Sequence, residues 1–310
     1  MFRRTIPTKV VSCGLACLVL LLTPLARPAV TLPAAPPGPD AQGARALLDV
    51  VTLIVDRTDD TIGSPACTAT PEDCSLRDAI EIANADPANF YRIYFAADYT
   101  ILLNSPLTIN APGLVIVGMS IDPDTPRIIR IDAGGYAQAF IINTIDVHLS
   151  DLRVYGAANG ASNIWITGSA YGITLSYNVI GDSDPADGCQ TGSPLAYGGI
   201  YVSATGASPG PTFFERVWIY GNTIECNGGA SGNGIDVANT NDVVIGANPR
   251  VPLLPSARNY IRSNAGDGVN ISGVNATHNI VSYNSIGVNT AGNAAAAPPN
   301  AETGIYVGDL

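Results

Sequence analysis

The chain has 310 residues and carries 15 basic against 26 acidic side chains, a net charge of −11. Its single lysine is Lys9, and an acidic, lysine-poor surface repels phosphate backbones, which argues against a nucleic-acid partner. Only His148 and His278 are present and no two cysteines have Cys-x-x-Cys spacing, which argues against a structural zinc site.

Residues 1–29 read as a secretory signal. Arg3, Arg4 and Lys9 make a basic stretch, Val10 to Leu22 an apolar run of 13 residues, and Pro24 to Ala29 a small-residue exit. The run is shorter than the roughly 20 apolar residues that a membrane-spanning helix needs. No membrane span is therefore expected, and the chain is expected to be secreted or displayed at the cell surface after cleavage following Ala26 or, preferentially, Ala29. Too little apolar sequence precedes Cys13 and Cys17 for either to be a lipoprotein cysteine. Beyond residue 29, 11 cations face 26 acids, a net charge of −15. Residues 30–48, with Pro33, Pro36, Pro37 and Pro39, have the composition of a flexible linker.

Residues 49–98 form an N-terminal module. Val51 to Asp56 is rich in β-branched residues and predicts a strand. After a polar loop, Leu76, Ala79, Ile80 and Ala83 recur at helical spacing. Ser75 with Asp78 three residues on resembles a capping box, and Asn84 and Pro87 end the helix. A helix of about ten residues needs a surface to lie on. Here it is expected to cover the N-terminal end of the next region with Leu76, Ile80 and Ala83 inward.

From residue 99 to 310 short apolar runs alternate with Asn, Gly, Asp and Ser, as in Thr100–Leu103, Leu107–Ile109, Leu114–Val117, Val147–Val154 and Asn163–Ile166. Strands this short and frequent indicate an all-β fold. A repeat decides which one. Gly199-Ile200-Tyr201-Val202, Gly234-Ile235-Asp236-Val237, Gly268-Val269-Asn270-Ile271 and Gly304-Ile305-Tyr306-Val307 begin 35, 34 and 36 residues apart. Between them recur Tyr177-Asn178-Val179-Ile180, Tyr220-Gly221-Asn222-Thr223-Ile224 and Tyr283-Asn284-Ser285-Ile286, with Arg258-Asn259-Tyr260-Ile261 a looser copy.

One coil of three short strands cannot bury its own apolar face. Stacking coils at about 4.8 Å pairs each strand with its equivalents and builds ladders of matched Ile and Val. The repeated Asn suits the turns, because it tolerates a left-handed backbone and its side chains can stack into a ladder. The rule for parallel crossovers gives the hand. The expected fold is a right-handed parallel β-helix, three short strands per coil, with an N-terminal capping helix. An antiparallel sandwich also gives short strands, but it does not account for the repeat.

Cys74-Ser75-Leu76-Arg77-Asp78-Ala79-Ile80, with Ala83-Asn84, resembles the CSLREA-type motif, with Asp78 in place of the usual Glu. Asn284 to Asn293 followed by Gly304-Ile305 is similar to the coil-and-loop unit of the secreted right-handed β-helix proteins of pectin-lyase-like fold that carry this motif. The resemblance covers residues 50 to 310. It implies the fold and an extracellular address, with an adhesive or surface role in many members, and it does not fix an activity.

The candidate chemistry is sparse. A polysaccharide lyase or glycoside hydrolase acting on acidic polysaccharide would be the enzymatic reading, yet the chain lacks the Gly-His-Gly turn of polygalacturonase-like enzymes. No residue is assigned as catalytic. His148 and His278 read as structural or surface residues, and Asn239 to Asp242 as a turn. Hydrolysis needs two carboxylates, for which Asp236 and Asp267 on neighbouring repeats could come close. Asp182, Asp184 and Asp187 could supply oxygen ligands to Ca²⁺ or form a solvated acidic loop. Arg216 is the nearest repeat-related candidate for a lyase base.

Trp165 and Trp218 lie in apolar strand runs. Tyr201 and Tyr306 share a repeat position, and outward tyrosines could form a sugar platform or simply stack. Three functional readings follow: a non-catalytic adhesive or glycan-binding β-helix with extracellular polysaccharide or cell-surface glycan as partner, a polysaccharide-cleaving enzyme, and a structural module. No cofactor is required, with Ca²⁺ as the ion to consider.

Four cysteines follow the signal, an even number that suggests disulfides in an exported chain. Cys67 is expected to pair with Cys74 beside the capping helix. Cys189 and Cys226, 37 residues apart, are close to one repeat length and could meet across adjacent coils. The last repeat stops at Leu310 inside its opening strand. The expectation is that further coils, another chain or end-to-end association covers that open coil.

Overall fold

A computed structural model of the chain describes residues 50–61, 67–68, 70–119, 128–158, 160–181, 198–205, 216–228, 232–247, 257–288 and 300–308. A strand, β1 (Val50–Val55), and one helix, α1 (Leu76–Ala85), precede the coils. The first coil is β2 (Phe90–Phe95), β3 (Tyr99–Leu102) and β4 (Leu107–Ile109); the second is β5 (Val115–Val117), β6 (Ile129–Asp132) and β7 (Phe140–Ile142). The third is β8 (His148–Ser150), β9 (Leu152–Tyr155) and β10 (Ser162–Ile166); the fourth is β11 (Ile173–Ser176), β12 (Val179–Gly181) and β13 (Gly198–Val202). The fifth is β14 (Val217–Tyr220), β15 (Thr223–Glu225) and β16 (Asn233–Ala238); the sixth is β17 (Val243–Gly246), β18 (Tyr260–Arg262) and β19 (Val269–Ser272). The described strands close with β20 (Ile280–Ser282), β21 (Ser285–Ile286) and β22 (Ile305–Gly308).

Each strand pairs in parallel with its equivalents one coil away. Three sheets result: eight strands running β1-β2-β5-β8-β11-β14-β17-β20, seven from β3 to β21, and seven from β4 to β22. The winding is a right-handed parallel β-helix. Its core is a set of ladders. In the third sheet Leu107, Phe140, Ile164, Ile200, Ile235 and Val269 stand in register, and all six are at most 1% exposed.

The repeated asparagines bind coil to coil. Between the first and second sheets, the side-chain amide of Asn178 donates to the Oδ1 of Asn222 (3.1 Å), Asn222 to Asn259 (3.1 Å) and Asn259 to Asn284 (2.9 Å). The Oδ1 of Asn222 and that of Asn259 also take a backbone N–H of the coil before, from Asn178 and Asn222, each at 2.9 Å. A second ladder runs between the second and third sheets: Asn163 to Asn227 (3.0 Å), Asn227 to Asn264 (2.8 Å) and Asn264 to Asn300 (3.0 Å). The left-handed residue is not the asparagine itself. It is the residue before it, Tyr177 (φ 57°), Gly221 (φ 69°) and Tyr283 (φ 55°) in the first ladder, and Cys226 (φ 59°) and Ser263 (φ 57°) in the second. The amide is spent on bridging coils, and its neighbour turns the corner.

The first coil is capped. β1 adds one strand to the first sheet beneath it. α1 packs Leu76, Ala79, Ile80 and Ala83, all at most 1% exposed, against the core. Ser75 is its N-cap, with a capping box in which the Asp78 N–H reaches Ser75 Oγ at 3.0 Å. Two side chains then satisfy the free edge of the third sheet. Asn84 donates to the Thr108 carbonyl at 2.8 Å and accepts from the N–H of Asn110. Arg77 donates to the Ser105 carbonyl at 2.6 Å and is held by Asp60, 2.6 Å away and fully buried. Cys67 and Cys74 form a disulfide beside the helix. Among the described residues no helix is long and apolar enough to cross a membrane.

Candidate functional site

The outer row of the third sheet carries the clearest surface feature. Residues that alternate with the buried ladder point outward, and in register these are Thr108, Ile141, Trp165, Tyr201, Asp236, Asn270 and Tyr306. A groove of about 420 Å³ follows this row past Trp165, Tyr201, Asp236 and Asn270, a size usual for a small-ligand site. Ser162 and Gln138 flank the aromatic end, and Ser272 flanks Asn270. The four central residues lie on four successive coils, so they span about 14 Å along the axis.

Trp165 and Tyr201 are half-buried, and their rings stack with centroids 6.4 Å apart and planes 27° from parallel. The Trp165 indole N–H donates to Ser203 Oγ at 2.8 Å, which holds the ring. One coil further, Asp236 is only 4% exposed. Its carboxylate accepts from the side-chain amides of Asn233 (3.1 Å) and Asn270 (2.6 Å). Burial pushes the Asp236 carboxyl above the ordinary carboxylate range; the two amides oppose this and the charge of Asp267 adds to it. The Oδ1 of Asn270 is buried and has no hydrogen-bond partner among the described residues.

Asp267 is engaged with the coils. Its N–H donates to Asn233 Oδ1 at 2.7 Å, and its Oδ1 accepts from the Thr303 N–H at 2.7 Å. Asn233 thus links the Asp236 carboxylate to the Asp267 backbone N–H, and of the two aspartates it is Asp236 that lines the groove. Tyr201 and Tyr306 share their register position but stand three coils apart, with Asp236 and Asn270 between them. They do not stack on one another; the aromatic neighbour of Tyr201 is Trp165.

The other candidates take structural places. His148 sits on β8 with a ring nitrogen 2.8 Å from Ser176 Oγ, and burial lowers its pKa. His278 is exposed in a left-handed turn, φ 57°. Asn239 and Asp242 are left-handed residues of the turn between β16 and β17. Arg216 is buried and donates to the Ala170 carbonyl at 3.3 Å. Trp218, on the first sheet, donates to the Gly246 carbonyl at 2.8 Å and packs on Tyr220 at 4.4 Å. Cys226 is disulfide-bonded; Cys189 lies outside the described residues, as do Asp182, Asp184 and Asp187.

Sequence reasoning missed Trp165 as the partner of Tyr201. The signal was present: Asn163-Ile164-Trp165-Ile166 begins 36 residues before Gly199, one further repeat length, with asparagine in place of the leading glycine. No family model matches the chain, and no curated protein matches it.

Proposed function

We propose that the chain is a secreted, non-catalytic β-helix protein of the CSLREA type that holds a glycan chain in the groove of its third sheet. The observation that carries this is the Trp165–Tyr201 stack, held at the groove and continued by polar side chains of the next two coils. A sugar ring presents apolar C–H faces and a rim of hydroxyls. Flat aromatic surface takes the first, and Asp236, Asn270, Ser162 and Ser272 can bond the second. Coils repeat at about 4.8 Å, close to the advance of a β-linked sugar, so a chain along the axis meets one rung per ring. The basic, apolar and small-residue regions of residues 1–29 support secretion, and the covered helix from Leu76 to Ala85 suits a CSLREA-type module.

Binding without cleavage fits the carboxylates. Asp236 already accepts from two amides, and the Asp267 carboxylate accepts from the Thr303 N–H, whereas a glycosidase needs two carboxyl groups on either side of the scissile bond. The test is calorimetric titration of the protein with cellohexaose, xylohexaose, mannohexaose and hexagalacturonate, with product analysis after long incubation. Binding of an oligosaccharide, weakened at least tenfold by Trp165→Ala or Tyr201→Ala and without shortened products, is expected. Shortened or unsaturated products would replace this reading with the enzymatic one.

A further inference from the structure

We propose that the groove selects uncharged, hydroxyl-donating sugars and rejects uronates, and that Asp236 sets this selectivity by fixing which way the Asn270 amide points. The inference rests on the groove being the glycan site.

The chain of contacts begins at Asp267. Its backbone N–H donates to the Oδ1 of Asn233 at 2.7 Å. That bond fixes the Asn233 amide, so its nitrogen must face Asp236, 3.1 Å away. An ionised carboxylate only accepts. Asn270 must therefore also turn its nitrogen to Asp236, at 2.6 Å. Its oxygen is left buried and, among the described residues, unpartnered. An unpaired buried acceptor favours any ligand that brings a donor. A sugar hydroxyl does so. A uronate carboxylate brings acceptors and a negative charge beside that of Asp236, which is repelled in a site partly withdrawn from water.

One substitution inverts the logic. In Asp236→Asn, the fixed Asn233 nitrogen still needs an acceptor, so the new amide must give it Oδ1 and turn Nδ2 toward Asn270. Asn270 then has to flip, offering Oδ1 to residue 236 and Nδ2 to the ligand. The groove loses its charge and gains a donor. Asp236 is a positioning residue in this scheme, and a swap in specificity is the signature that a merely structural role would not produce.

The experiment titrates wild type, Asp236→Asn, Asn270→Ala and Trp165→Ala with the four oligosaccharides named above. Wild type is expected to bind a neutral hexaose at least tenfold more tightly than hexagalacturonate. Asn270→Ala should lose about three- to tenfold for the neutral ligand, the worth of one hydrogen bond. Asp236→Asn should lose a similar factor for the neutral ligand and gain hexagalacturonate binding. Tighter binding of hexagalacturonate by wild type, abolished by Trp165→Ala, would overturn the selectivity and leave the groove as the glycan site. An unchanged preference in Asp236→Asn would overturn the positioning role. Failure of all four ligands, or binding indifferent to Trp165→Ala, would remove the groove reading and this inference with it.

Discussion

The side-chain nitrogen of Asn300 occupies the space that a Cβ on Gly268 would need: the two positions are 2.6 Å apart. The same holds one coil earlier, where a Cβ on Gly234 would lie 2.9 Å from Asn264 Nδ2 and 2.6 Å from both the Gly268 carbonyl and Ile261 Cγ2. The glycine of the repeat is there because the asparagine ladder, the carbonyl of the next coil's glycine and an isoleucine methyl together fill the space of its Cβ. At these two positions it answers a close approach, and no left-handed backbone is involved.

Gly234→Ala should therefore destabilise the protein by about 1–3 kcal/mol, the usual cost of forcing extra volume into packed surroundings. Gly304 has the same place in the sequence repeat, but among the described residues a Cβ there meets only Ile286 Cγ2, at 3.6 Å. Gly304→Ala should be close to neutral. Urea denaturation of both variants checks this, and equal effects would show that this crowding does not set the requirement.

Much of this architecture was legible in the sequence, and for a physical reason. Matched Ile, Val, Asn and Gly recur because equivalent coils stack directly, so each position sees its own copy above and below. The groove was less legible, since outer residues face solvent and need not match: Trp165, Tyr201, Asp236 and Asn270 share a row without sharing chemistry. The Arg77–Asp60 pair was invisible because a loop, and no periodicity, brings the two together.

That pair makes its own prediction. Arg77→Ala would leave the fully buried Asp60 carboxylate without its cation, and the Ser105 carbonyl without its donor. Breaking one partner of a buried pair costs about 3–5 kcal/mol. The loss should concentrate at the capped end, and hydrogen exchange at the amides of α1 and β4 should rise before that of the central coils. Uniform protection across all coils would contradict the cap.

Asp236 gives a pH dependence. Its folded-state pKa is raised, chiefly by burial. Below the ordinary carboxylate range both folded and unfolded chains hold the proton. As pH rises, the unfolded chain releases it first, and the favourable contribution fades as pH passes the raised folded value. The stability of wild type relative to Asp236→Asn should fall from acidic toward neutral pH and then level off. Denaturation midpoints of the two proteins across that range read it directly. A relative stability that rises with pH would mean that the amides and not burial govern this group.

The chain has two tryptophans, Trp165 in the groove of the third sheet and Trp218 on the first sheet. Each can be isolated by replacing the other with Phe. Titrating both single-tryptophan proteins with a neutral hexaose, and following the emission, reports which face takes the ligand. A saturable change is expected from Trp165 alone, absent in Tyr201→Ala at the same concentrations. A saturable change from Trp218, with Trp165 silent, would contradict it.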